Sequence, residues 1–553
     1  MSISLRQAVA QWWRSPVACG AMLAVGASLS VAQAQESKPQ FLGVATCVAC
    51  HNQTLQAGNP SSLSALAQNR ELCALDEVKT FETTDKHIKA FELLKGDLGQ
   101  RMEKLLGYKV TEDKRCLACH SNWHWKEGFE KPEHFEFGVT CESCHGAASK
   151  WKDPHDKVDW RKVKPDVKEK EAGFIDVRNP VRRARQCFSC HIGNVTEGKV
   201  VTHEMYAAGH PPLPSIEIET FVSQMPFHWR TLRERGEFAN QKEYLAANFP
   251  DQKDPTLDLA RTKSTLIGGV MALRESLNLF GEQAVDKHET SVWPELAVFD
   301  CAACHHDLRS KSWRRDRGYG ASIPGRPQFY SWPTALVKVA VRHRAGDDDA
   351  KFKAQWDEFH TNLEKLRRVL DKQPFGAPQD IRSITHGADG KGGLVAWLDN
   401  LAEEIFKSPV READAKRALK AVVALDAKDY PDFHSARQTL WVFRTIQSEL
   451  QVAYPTFKPR ATGETTKQSQ ERALQNLVMF REWEQGPKLD SFRKTDDLLA
   501  KHEFASRLRL KLPAGVEYVI AAQLPDALDA AADYDPEWFR TQLAKLEKEL
   551  PKD

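Results

Sequence analysis

Residues 137–157 read FGVTCESCHGAASKWKDPHDK, with Cys141 and Cys144 three apart, His145 directly after the second, and His155 ten residues further on. The Cys-x-x-Cys-His pentad occurs five times: Cys47-Val-Ala-Cys50-His51, Cys116-Leu-Ala-Cys119-His120, Cys141-Glu-Ser-Cys144-His145, Cys187-Phe-Ser-Cys190-His191 and Cys301-Ala-Ala-Cys304-His305. Two thiols at this spacing reach both vinyl groups of one porphyrin, and the next histidine falls beneath the iron as its proximal ligand. The repeat therefore predicts five covalently attached c-type haems. Structural zinc would need two cysteine pairs for each tetrahedral site, and five pairs each followed by histidine do not sort that way. Thioredoxin-like pairs occur singly beside a βαβ pattern, which the sequence lacks. Each porphyrin brings a large apolar face, so the chain over 41–315 is expected to pack around haems in place of a conventional core.

Ten of the twelve cysteines belong to the pentads, leaving Cys19 and Cys73. Arg6 and Arg14 precede an apolar run over 17–31, and Ala32-Gln33-Ala34 offers the small residues that a signal peptidase needs, so 1–34 reads as an export signal. The alternative is an uncleaved anchor, for which the run is short against a ~20-residue span. No later stretch is expected to cross a bilayer. An exported chain ordinarily pairs its cysteines as disulfides, but here Cys73 has nothing left to pair with and reads as a small buried apolar residue, with a reactive thiol as the alternative. A net charge of +2 over 553 residues gives no polyanion-binding balance, so nucleic acid is not an expected partner.

The chemistry of each iron depends on its second face. A haem iron with histidine on both sides can only pass electrons, whereas an open face can bind and transform a small molecule. Besides the five proximal residues, nine histidines lie at or before position 306: His87, His124, His134, His155, His203, His210, His228, His288 and His306. His203 and His210 are seven apart, two turns along one helix face that Pro211-Pro212 ends, so both qualify as distal ligands, with the fourth haem the favoured recipient. Met205 between them reads as packing. His228 and His288 are candidates for the fifth iron by proximity alone, and His306 either caps a neighbouring haem or bonds at the surface.

The segment GVTCESCHG followed by DPH resembles the third haem site of the cytochrome c-554 family, multihaem electron carriers related to hydroxylamine oxidoreductase. FLGVATCVACHN is similar to that family's first haem segment, TTDKHIKAF to the segment whose histidine caps the third haem, and CFSCHIGNVTEGKVVTHEMYAAGHPPLP to segments of multihaem relatives, so the likeness runs over roughly 41–215. The resemblance implies that His155 is the distal ligand of the haem on Cys47 and Cys50, that His87 caps the third haem, and that the haems pack closely because ligands cross between sites. His51 and His87 stand further apart here than in the tetrahaem carrier. That carrier's second haem lacks a sixth ligand, which would leave the iron on His120 open; this chain places His124 and His134 nearby, either of which could close it.

Beyond 333 there is no cysteine. The stretch 316–333 is rich in Gly and Pro and reads as a linker. Phe352, Trp356, Phe359, Leu363, Leu366 and Leu370 line one face of a helix that ends before Pro374. Further helices are expected over 394–406 and 440–450, and a last one opens at Asp535-Pro536 and buries Trp538, Phe539, Leu543, Leu546 and Leu550. The expected fold is mainly α with long loops and little sheet: a signal peptide (1–34), a pentahaem domain (35–315), a linker (316–333) and a helical domain without haem (334–553).

The function this implies is a periplasmic electron carrier that exchanges electrons with periplasmic or membrane-bound redox proteins, with no catalytic residue assigned. The main alternative is an oxidoreductase that acts on a small nitrogen or sulfur compound at an open iron on His120. A subunit docked in a larger electron-transfer complex through its helical half is the third.

Overall fold

The computed structural model describes residues 38–52, 75–122, 137–226, 228–229, 231–238, 240–286, 293–306, 314–315, 319, 323–372, 375–454 and 534–550. The leader, Cys73, His124, His134, His288 and the Trp538 side chain lie outside the described residues. Packing divides the chain into Met1–Lys38 and Pro39–Asp553, and every element described belongs to the second unit. The fold is mostly helical; among the described residues two isolated bridges, Asn194 to Lys199 and Phe299 to Phe329, take the place of a sheet.

Each pentad closes one helical turn, which sets the two cysteines and the histidine on one face. The carriers are α1 (Ala45–His51), α2 (Lys114–His120), α3 (Cys141–His145) and α4 (Pro180–His191), followed by α5 (His203–Ala207), α6 (Ala260–Val285) and α7 (Cys301–Cys304). Side-chain caps fix where three of the carriers begin: Asp113 accepts from Arg115 N–H at 2.9 Å, Asn179 from Val181 N–H at 2.8 Å and Asp300 from Ala302 N–H at 3.0 Å. Around α1 to α3 the apolar clusters are small. One gathers Phe91, Leu94, Met102, Val110, Leu117, Met205 and Ala208, and another Ala148, Trp151 and Ala172.

The main core lies elsewhere. Its axis is α6, which is buried on every side from Thr262 to Leu273. Around it stand α8 (Val337–Ala345), α9 (Asp349–Lys372), α10 (Pro378–His386), α11 (Gly393–Lys407), α12 (Glu412–Val423), α13 (Phe433–Ala453) and α14 (Pro536–Glu549). Close approach needs glycine at two points: a Cβ on Gly268 would lie 2.2 Å from Ile218 Cγ2, and one on Gly269 would lie 2.5 Å from Leu336 Cβ.

The expected helices from 352 onward are present, with Phe359, Leu363, Leu366 and Leu370 facing inward and Asp535 capping α14 through Glu537 N–H at 2.9 Å. What differs is where that core stops. The same apolar cluster holds Val181, Ala184 and Phe188 of α4, much of α6, and Leu543 and Leu546 of α14, so packing continues across the expected 316–333 linker. Phe329 within that stretch lies 5.4 Å from Phe280 of α6. The expectation that 41–315 packs around porphyrin in place of a core is corrected accordingly: α6 uses a conventional side-chain core. Ion pairs reinforce the junction. Arg185 of α4 and Arg274 of α6 both reach Asp399 of α11, at 3.1 and 3.0 Å, and Arg183 donates to Glu219 at 2.7 Å and Ser264 at 2.6 Å.

Candidate haem-binding centres

Four of the five proximal histidines face a second imidazole across a similar gap. His51 and His155 have ring centres 6.1 Å apart, His120 and His210 6.3 Å, His191 and His87 6.4 Å, and His305 and His203 6.2 Å. The planes fall into two classes: 19° and 21° apart for the pairs on His51 and His305, but 84° and 88° for those on His120 and His191.

The second nitrogen of most of these rings is tied down. His51 Nδ1 bonds Glu77 Oε2 at 2.8 Å, His87 Nδ1 bonds Asp85 Oδ1 at 2.8 Å, His120 Nδ1 bonds the Ala90 carbonyl at 2.7 Å and His210 Nδ1 that of Pro211 at 2.7 Å. His155 Nδ1 bonds the Lys152 carbonyl. Each acceptor fixes the ring and leaves Nε2 for the opposing face, which is how metal-bound histidines are oriented. Hydrogen bonding to Glu77 and Asp85 raises the affinity of His51 and His87 for protons, while burial lowers it at His155, His191, His210 and His305. Burial alone would raise the Asp85 carboxyl, but its bonds to His87 hold it below the usual carboxylate range.

The third pentad is arranged differently. His145 stacks against Phe174 at 6.2 Å and 22°, and burial pushes its imidazole down to about 4, with His228 the leading charge beside it. His228 Nδ1 likewise lies 3.3 Å from a carbonyl, that of Pro226. Glu142, inside this pentad and 2 % exposed, accepts from Leu42 N–H at 2.9 Å, Gly43 N–H at 2.7 Å and Ala148 N–H at 2.8 Å. Asn122, just past α2, accepts from Thr140 N–H at 3.0 Å and from the Ser143 hydroxyl.

Two pairings expected from the sequence come out otherwise. His87 stands against His191 of the fourth pentad, not His145 of the third. His203 and His210 do not share a helix face: α5 ends at Ala207, Gly209 turns the chain at φ 113°, and the two histidines go to the fifth and second pentads instead of the fourth. The site on His120, expected to be open, therefore has His210 opposite it. Sequence reasoning missed the carboxylates behind His51 and His87. Asp85 carried a signal, since an Asp two residues before His87 is a local cap, and it accepts from His87 N–H at 2.9 Å; Glu77 carried none.

A family model described as cytochrome c554 and c-prime matches residues 46–146. Over those residues the chain resembles the cytochrome c-554 family. Cytochrome c-554 of Nitrosomonas europaea is 25% identical over 183 residues, which make up 32% of this chain and 68% of that protein. No solved structure matches. That likeness supports a c-type cytochrome role in electron transfer, with covalently bound haem c and redox partners. No helix among the described residues is long and apolar enough to cross a membrane.

The donor set fits that group. Two metal–imidazole bonds of roughly 2 Å each, plus about 1.2 Å from nitrogen to ring centre on either side, would span about 6.4 Å, against the 6.1 to 6.4 Å between the facing rings. An imidazole whose Nδ1 is fixed by an acceptor presents its Nε2 in the form that metals bind.

Proposed function

We propose that the chain is an exported pentahaem cytochrome c that passes single electrons between redox proteins through five irons, four of them with imidazole on both faces. The haems hang from Cys47 and Cys50, Cys116 and Cys119, Cys141 and Cys144, Cys187 and Cys190, and Cys301 and Cys304, with His51, His120, His145, His191 and His305 as proximal ligands. The distal partners are His155 on the first, His210 on the second, His87 on the fourth and His203 on the fifth. The observation that carries this reading is the set of four imidazole pairs spaced for an iron between them. Once bound, such groups supply reversible one-electron chemistry; the protein's part is to hold their ligands, charge and burial. The cysteine-free helices beyond 333 act as the scaffold that fixes α4 and, through 316–333, α7.

One observation favours a second reading at a single place. The four imidazole pairs involve the proximal histidines of the other pentads, so chemistry on a small nitrogen or sulfur compound is placed at the third iron. Electron paramagnetic resonance of the oxidised mature protein separates the two. Low-spin signals alone support the carrier, and a high-spin signal that shifts with nitrite or hydroxylamine supports the enzyme. Mass spectrometry of the same sample should show five added haems and a missing leader; fewer haems would refute the count.

A further inference from the structure

The proximal side of the fourth centre leads out of the haem region and into the helical half. Phe221, on the short helix Ile218–Val222, stands across the His191 ring at 71° with centres 6.3 Å apart, and Trp441 of α13 stands across Phe221 at 79° and 6.0 Å. Both contacts are clamped. Arg183 of α4, two turns ahead of His191, donates to Glu219 at 2.7 Å, and the Glu217 carboxylate caps the short helix through Thr220 N–H at 2.8 Å. From the other side, Arg437 of α13 donates to the Ser215 hydroxyl at 2.6 Å, which ties α13 to the segment leading into that helix. Packing of this kind puts touching atoms between an iron ligand and α13, and an electron tunnels far better through touching atoms than across a gap.

The far end of this row reaches the surface. Arg437, Trp441, Arg444 and Ser448 recur at spacings of four, three and four along α13 and share one stripe; the first three are half-exposed and Ser448 is exposed. The Arg437 guanidinium lies 4.6 Å over the Trp441 ring. The carboxylates of this helix and its cap are used elsewhere: Asp432 accepts from Ser435 N–H at 2.7 Å, and Glu449 turns to Arg261 N–H at 2.9 Å and Thr262 N–H at 2.6 Å. The stripe is aromatic at its centre with arginine on either side, the complement of an acidic surface.

We propose that the helical half is an electron port: an acidic redox protein docks on the α13 stripe around Trp441 and exchanges single electrons with the fourth haem through Trp441 and Phe221. In each exchange the iron and the partner change oxidation state by one in opposite senses. Neither ring is oxidised on the way, since the Arg437 cation over Trp441 disfavours a positive charge there; the rings serve as the tunnelling bridge. The proposal rests on the pentahaem reading through the haem on Cys187 and Cys190.

The imidazole planes let the fourth haem be followed. Near-parallel planes give rhombic low-spin spectra and near-perpendicular planes give strongly axial ones, so the first and fifth irons should be rhombic and the second and fourth axial. The mature holoprotein carries a photoactive ruthenium–bipyridine group on Ser448→Cys; a flash injects one electron, and the rise of reduced haem is timed. Trp441→Leu opens a gap in the bridge and should slow that rise about tenfold, Phe221→Leu should do the same, and Trp441→Phe should keep most of the rate, with both axial signals in place. With the ruthenium group on Lys104→Cys instead, beside the second pentad, the rate should ignore Trp441. A rise indifferent to both leucine variants overturns the bridge, and if Trp441→Leu fails to mature, Phe221→Leu decides alone. Reduced flavodoxin serves as the acidic probe. Arg444→Glu should slow its electron transfer about tenfold at low salt, and the difference should vanish toward 1 M salt, where the screening length is roughly 3 Å. No dependence on Arg444 overturns the acidic partner. Peptide masses showing no haem on Cys187 and Cys190 would instead overturn the pentahaem reading beneath it.

Discussion

Glu142→Gln tests how one centre is fastened to the next. The Glu142 carboxylate is 2 % exposed and accepts from three backbone N–H groups, those of Leu42, Gly43 and Ala148, at 2.7 to 2.9 Å. Leu42 and Gly43 lead straight into α1, so the side chain between Cys141 and Cys144 holds the segment that presents Cys47 and His51. Hydrogen bonds to a charged acceptor contribute roughly 1.5–3 kcal/mol each. Glutamine keeps the shape, but only its carbonyl oxygen accepts, and its amide turns a donor toward a donor. With one or two of the three bonds lost or weakened, the expected destabilisation is about 2–4 kcal/mol. Amide exchange at Leu42, Gly43 and Ala148 should quicken by roughly 30- to 1,000-fold, which is that energy expressed as an opening equilibrium. The assay is hydrogen exchange on the oxidised holoprotein with haem content held at the wild-type value, beside a denaturant titration. Unchanged protection at Leu42 and Gly43, with a midpoint change worth less than about 0.5 kcal/mol, would refute the claim that this carboxylate fastens the first centre to the third.

Two further outcomes concern the anion behind His51 and the buried imidazoles of the helical core. Glu77→Gln removes the carboxylate that bonds His51 at 2.8 Å, makes the imidazole less basic, and should raise the potential of the first haem by roughly 60 mV, a tenfold shift for one electron; redox titration of the rhombic signals checks this, and no shift would mean that Glu77 does not act through His51. Acid should loosen the helical core: burial pushes His343 and His386 down to about 4, with Asp414, Arg417 and Lys263 around the first and Arg382 and Arg274 around the second. Both imidazoles stay neutral when folded and protonate near 6.5 when unfolded, so their contribution is intact above that pH and falls as the pH drops toward 4. At pH 5 each should cost about 2 kcal/mol, seen as a lower denaturation midpoint that His343→Gln partly removes.

The pentads are read from their fixed spacing, and the pairing of His51 with His155 was legible because GVTCESCHG with DPH resembles a known segment. The remaining pairings were not, since which iron a distal histidine reaches depends on long-range packing. His203 and His210 show why: a spacing of seven suggests one helix face, but Gly209 at φ 113° sends His210 elsewhere. Helix α6 was invisible for the opposite reason. A helix buried all round has no apolar stripe to detect, whereas α9 and α14 are half in water and their stripes and caps can be read directly. The linker at 316–333 was read from its composition, which says nothing about Phe329 packing on Phe280.

On the proposed function the two thiols and the histidine of each pentad are taken by a porphyrin, which leaves only the inner pair of residues to address the protein. Those pairs differ, and they differ in what they touch. Leu117 packs with Phe91 and Met102, Phe188 enters the main helical core, and Glu142 and Ser143 bond the segment before α1 and Asn122 after α2. Ala302 is buried beneath α7, while Val48 is half-buried and Ala49 exposed on α1. An inner pair facing a neighbouring centre must supply packing or hydrogen bonds in place of water, and one at the end of the array need not. Ala49 and Cys50 meet water, whereas Glu142 and Phe188 are buried against neighbouring segments and supply the hydrogen bonds and packing that burial demands. The variation within the Cys-x-x-Cys spacing therefore follows what each pentad packs against.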